Sequence, residues 1–171
     1  MAKVDFPDMN TLPEKVHKLL EREPQLNIFK TMAHTENIAV AFARLGFQIN
    51  ANGELDPLLR EIAILRVGFI SGAGYEVHHH KRICKSYGMS DEKIVAIENN
   101  KDSPLFNDLE KKVIDFTDQI VSNVKADQEI FSALNRELTL RQVMELVITI
   151  GFYMMVCRFL ENYEVDIEEE L

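Results

Sequence analysis

Glu61, Glu76 and His80 are the residues of this chain whose types and spacing best suit chemistry. A Glu four positions before a His lies beside it on a helix, where it holds the imidazole and favours its charged form. Such a His acts as a proton donor or shuttling acid/base near neutral pH. Two acids and a histidine on buried faces are costly to leave unpaired. The arrangement therefore reads in one of two ways: a small active site with shifted protonation, or a satisfied buried network that only specifies packing. The triplet His78-His79-His80 cannot bind one ion, because consecutive helical residues point about 100° apart. No second Glu-x-x-His exists to complete a carboxylate-bridged site, so no metal and no cofactor is expected. Cys84 follows His80 on the same side. It is a candidate redox thiol if His80 raises its thiolate fraction, and otherwise a small core residue. Cys157 sits in an apolar run and reads as inert.

These side chains need a helical hairpin to hold them. Asp56-Pro57 is an N-cap followed by proline at the first helical position, opening a helix over about 58–70. Ser71-Gly72-Ala73-Gly74 is the turn, and a second helix covers about 75–87 up to Gly88. On a helical wheel Glu76 and His80 fall in the middle of the inward arc, with Ile83 and Tyr87 near them and Cys84 and Val77 flanking. His78, Lys81, Arg82 and Lys85 mark the solvent side. Glu61 lies roughly 16 Å before the turn and His80 roughly 12 Å after it, an offset that side chains could close.

Elsewhere the pattern is helical throughout. Thr11-Leu12-Pro13-Glu14 reads as a capping box opening a helix to about Arg22, broken by Pro24. Helices follow over about 26–33 and 36–48, then a loop over Asn50–Gly53. After the hairpin come helices capped by Ser90, begun at Ser103-Pro104 and ending near Asn123, and capped by Asp127. The last runs from Thr139 to about Tyr163. That helix is apolar on nearly every side between Val143 and Leu160, as befits the centre of a bundle, a subunit interface, or both. No segment alternates as a strand would, so the expected fold class is all-α.

The 171 residues include only 7 Gly and 5 Pro, too few for a turn-rich fold. A net charge of −9 repels phosphate backbones, so no nucleic acid partner is expected. Five carboxylates in Glu164–Glu170 read as a solvated or frayed tail. Two cysteines 73 positions apart give neither a disulfide framework nor a zinc spacing. The first residues show no apolar signal segment. The apolar stretch Leu146–Cys157 is shorter than the ~20 residues of a membrane span. No membrane association and a cytoplasmic location are the expectations.

The run Leu55–Val67, then Gly72-Ala73-Gly74-Tyr75-Glu76-Val77-His78-His79-His80, then Gly88-Met89-Ser90, resembles the carboxymuconolactone decarboxylase family, which includes the alkylhydroperoxidase D (AhpD) proteins. Glu145-Leu146 and Gly151-Phe152-Tyr153 resemble that family's last helix. The likeness implies an AhpD-like helical bundle over 24–165, with residues 1–23 an N-terminal arm and 166–171 an acidic tail. It also implies a homo-oligomer, trimer or hexamer. The peroxidase branch carries Glu, eleven residues, Cys, two residues, Cys, three residues, His. Here Glu61 and His80 fill the outer positions, while Ala73 and Glu76 stand at the two cysteine positions. The dithiol chemistry in which one thiolate attacks peroxide and the other resolves the product is therefore absent.

The decarboxylase branch needs acid/base groups and no thiol pair. By that resemblance His80 would protonate a small carboxylated substrate, Glu76 would orient His80, and Glu61 would hold the network. Tyr75, Arg66 and Arg158 are candidate substrate-binding residues. Two alternatives stand beside this: a peroxidase-like antioxidant using Cys84, and a non-enzymatic oligomeric binding protein.

Overall fold

Periodic apolar positions and well-placed caps organise the described residues of the computed structural model, 2–22 and 26–168, into nine α-helices with no strand among them. These are α1 (Glu14–Arg22), α2 (Asn27–Met32), α3 (Asn37–Ala51), α4 (Pro57–Ser71), α5 (Gly74–Ser86), α6 (Asp91–Asn99), α7 (Asp108–Asn123), α8 (Gln128–Asn135) and α9 (Leu140–Tyr163). Pro24, expected to break the first helix, and Glu169 and Glu170 of the acidic tail lie outside the described residues. The chain forms two compact units, one of residues 1–52 with 159–171 and one of residues 53–158.

The unit of residues 53–158 carries the hairpin. Asp56 caps α4 by accepting from the Leu58 and Leu59 N–H groups at 2.8 and 3.2 Å, with Pro57 in the first turn. Those groups would otherwise be orphan donors. Gly72 ends the helix in the left-handed conformation, φ 65°, a geometry that a side chain makes costly. Its neighbour Ala73 donates back to Gly68 O at 3.0 Å. α4 is buried on nearly every side, from Leu59 to Gly68, with only Arg66 partly exposed among them. It packs against α5, α6 and α7, which accounts for its all-round apolar character.

Gly68 sets how closely α4 and α5 approach. A Cβ there would meet Val77 Cγ2 at 3.0 Å. Val77 is β-branched and stiff on its helix, so it yields little. Gly68→Ala would gain roughly 1 kcal/mol of helix propensity against an overpacking cost of about 1–3 kcal/mol. The expected net result is a loss of about 1 kcal/mol in urea unfolding, and a stabilised variant would show the hairpin is looser than this contact implies.

Two helix starts differ from the sequence expectation. α7 begins at Asp108 rather than at Ser103-Pro104, because Asn107 and Glu110 form a reciprocal capping box. Before α1, Asp8 caps a short 3-10 helix, Met9–Thr11, and the Thr11 hydroxyl donates to Asp8 O instead of opening the α-helix. α3 also runs into the first two residues of the expected loop, ending at Ala51.

α9 is 24 residues long with a mean hydropathy of 1.8 over its most apolar window, so by length and composition it could cross a membrane. The expectation that no segment was long enough rested on the apolar stretch Leu146–Cys157, itself interrupted by Thr149, whereas the helix extends well past it on both sides. Half of that window is buried within the protein, as in a core helix. Val143, Leu146, Ile150, Tyr153, Cys157 and Leu160 are buried, while Leu140, Met144, Val147, Ile148 and Met155 form an exposed apolar stripe at helical spacing.

In the unit of residues 1–52 and 159–171, α3 packs on α1 and α2. The tail is fastened rather than frayed through Glu168. Asp166 accepts from Ala2 N–H at 2.9 Å, its carbonyl accepts from Asn27 Nδ2 at 2.9 Å, and Lys3 pairs with Glu164 at 2.9 Å.

Candidate active site

The inward stripe of α5 is Glu76, His80 and Cys84, one helical turn apart and all buried. The wheel placed Ile83 and Tyr87 in the same arc, but both are more than a third exposed. The buried face follows the i, i+4 line Glu76–His80–Cys84, and Ile83 and Tyr87, toward the C-terminal end of α5, are open. His78 is exposed, as expected for the solvent side.

Glu61, fully buried on α4, reaches across the hairpin. Its Oε2 accepts from His80 Nδ1 at 2.6 Å, closing the axial offset counted from the turn. On the other side of the ring, Glu76 Oε1 lies 2.9 Å from Nε2 as an ion pair, off the line a hydrogen bond requires. The imidazole is therefore bracketed by two carboxylates. Tyr153 of α9 sets its ring edge-on to the imidazole, 5.0 Å between centroids at 86°. Burial works against charge on His80, but the Glu76 charge and the contacts to Glu61 outweigh it and lift the group from 6.5 to about 10. His80 is thus an imidazolium at neutral pH.

Sequence reasoning missed Arg60. Its side chain is buried, and Nε stands 3.6 Å from Glu61 Oε1. Adjacent helical residues do not ordinarily face each other, so nothing in the spacing signals this contact. The one available sign was an arginine inside a run otherwise destined for the core. Tyr153 lies within the segment that resembles the family's last helix, but its ring contact with His80 has no signature in spacing.

The remaining candidates are placed differently. The Arg66 guanidinium is taken up by Asp118, at 2.6 and 3.0 Å, and by the carbonyls of Ile97 and Glu98. With those donors satisfied it is a helix-to-helix tie, which corrects its expected role as a carboxylate receiver. Arg158 is exposed and donates to Met154 O one turn back on α9. Tyr75 is buried against the His79 ring at 4.5 Å. Cys84 is fully buried, and burial followed by the Glu61 charge pushes its thiol up from 9.0 to about 12. The expected thiolate enrichment by His80 is overridden by desolvation and by the nearby anion. Among the described residues no group of three or more His, Cys, Asp and Glu side chains is arranged to hold a metal ion.

Comparison with known proteins places the arrangement. Residues 37–119 match the model of the carboxymuconolactone decarboxylase family, a span that contains Arg60, Glu61, Glu76, His80 and Cys84. No curated protein matches the chain. Among solved structures, an AhpD-core, peroxidase-related protein from Ralstonia eutropha JMP134 superimposes with a TM-score of 0.86 at 18% identity, covering 99% of this chain and 93% of that one. A putative antioxidant defence protein AhpD from Agrobacterium tumefaciens gives a TM-score of 0.72 at 18% identity, covering 80% and 93%. A Cys-to-Ala variant of the debrominase Bmp8, in complex with 2,3,4-tribromopyrrole, gives 0.81 at 20% identity, covering 99% and 95%. These likenesses establish an AhpD-like all-α fold. Residues 37–119 form the region that matches the carboxymuconolactone decarboxylase family, with Ala73 and Glu76 where the redox branch it resembles carries its cysteine pair.

Proposed function

We propose that the protein is a non-redox acid/base catalyst acting on a small organic molecule, with His80 as the proton donor, Glu76 as its partner and proton acceptor, and Glu61 as the group that orients the ring. The observation that carries this reading is an imidazole held between two carboxylates in a hairpin with no thiol pair. Nδ1–H is committed to Glu61, so Nε2–H is the proton available for transfer, next to the Glu76 carboxylate.

In a decarboxylation, the bond from carbon to the departing carboxylate breaks. Its electron pair passes into the adjoining conjugated system, and His80 Nε2 protonates the resulting carbon. Solvent then returns a proton to the ring. The family that residues 37–119 match favours this reaction class. The debrominase neighbour, holding a small halogenated heteroaromatic, supports a compact ring-sized substrate. A peroxide-reducing role for Cys84 is disfavoured by its buried, neutral thiol.

Solvent-deuterium incorporation into a panel of small carbonyl and carboxylate compounds, followed by NMR, tests the reading without foreknowledge of the product. His80→Ala is expected to lower exchange at least about 100-fold while helicity and folding persist. Equal exchange in the wild type and the variant would rule out His80 as the acid.

A further inference from the structure

The charges around His80 do not balance within the triad. Two carboxylates and one imidazolium leave one net negative charge, in a place where Glu61 is wholly buried and Glu76 nearly so. An uncompensated charge in such a place neutralises itself by taking up a proton. Here that would convert Glu76 or Glu61 into a neutral acid and remove a base from the site.

Arg60 supplies the missing positive charge. It is 4% exposed, and an arginine is almost never buried to that degree without a partner. Its Nε faces Glu61 Oε1 across 3.6 Å, while the other oxygen of that carboxylate is bonded to His80. Other charged groups near α4 are otherwise engaged. Asp118 of α7 is held by Arg66, and Glu110 of α7 by Lys93 of α6 at 2.6 Å. On α5 the remaining titratable group of the inward stripe is Cys84, which is neutral, and α9 contributes the Tyr153 ring.

We propose that Arg60 is a charge-balancing residue of the site: its buried guanidinium beside Glu61 lets both carboxylates stay ionised around the His80 imidazolium and so keeps Glu76 available as a base. This rests on the acid/base reading above. Arg60 acts through Glu61 and is a positioning residue rather than one that meets substrate.

The test is spectroscopic and independent of turnover. Infrared difference spectra at neutral pH are expected to show a protonated-carboxyl C=O stretch in Arg60→Gln, absent from the wild type, from Arg60→Lys and from the double variant Arg60→Gln/Glu76→Gln. Unfolding gives the companion result. Glu76→Gln destabilises the wild type but restores stability to Arg60→Gln, because it removes the unbalanced charge. Should Arg60→Gln fail to fold, the double variant is expected to recover folding. A folded Arg60→Gln without the carboxyl band, or a double variant no better folded than Arg60→Gln, would overturn the proposal. Neither result touches the deuterium-exchange test of His80, so the two readings fail separately.

Discussion

Glu61→Gln is expected to lower the unfolding free energy at neutral pH by about 3–5 kcal/mol, the usual consequence of removing one partner from a buried ion pair. At this chain length that corresponds to a melting temperature lower by roughly 10 °C. The substitution preserves shape, so cavity formation contributes little. What it removes is the acceptor of the 2.6 Å bond from His80 Nδ1 and the counter-charge of Arg60. Two buried cations then share Glu76 alone, and His80 is expected to release its proton in compensation. Thermal and urea unfolding, with NMR titration of the imidazole, measure both consequences. A change under about 1 kcal/mol with an unaltered His80 titration would mean that the network is an ornament of packing.

The second large effect is in pH dependence. His80 has its folded value raised from 6.5 to about 10, so the folded chain holds a proton that the unfolded chain has released. Stability is fully present below about 6.5 and is lost as pH rises toward 10, with a limiting slope near 1.4 kcal/mol per pH unit. Cys84, raised from 9.0 to about 12, adds a loss of the same sign above about pH 9. The His80 contribution is therefore read between pH 6.5 and 9, where it amounts to about 3 kcal/mol. Urea unfolding across this range should show the decline in the wild type and a much shallower one in His80→Phe. Flat wild-type stability over the same range would contradict the raised value.

The hairpin was legible because its punctuation is local. Asp56-Pro57 and the Gly72 turn act through backbone groups within a few residues of themselves, and the observed helices fall within a residue or two of the expected ones. The start of α7 was less legible. Ser103-Pro104 has good helix-opening chemistry, but Asn107 with Glu110 has a complete reciprocal box and prevails. Helical angles located the Glu76–His80–Cys84 line but not the width of the buried arc, which depends on where neighbouring helices lie. Ile83 and Tyr87 fall within the same arc, toward the C-terminal end of α5, and are exposed. Partnerships across helices were the least legible. Arg66, a candidate substrate-binding residue in the sequence, is committed to Asp118, fifty-two residues on, while Arg60, which the sequence reading did not single out, is in the core.

The replacement of two sulfurs by Ala73 and Glu76 reaches beyond the hairpin. A dithiol centre ends each cycle oxidised and must be recharged by an electron donor, so its throughput depends on the reducing power of its surroundings. On the acid/base reading proposed above, a centre made of two carboxylates and an imidazole resets by exchanging protons with water. Such a centre would draw on no electron donor, and its throughput would follow acidity rather than the redox state of its surroundings.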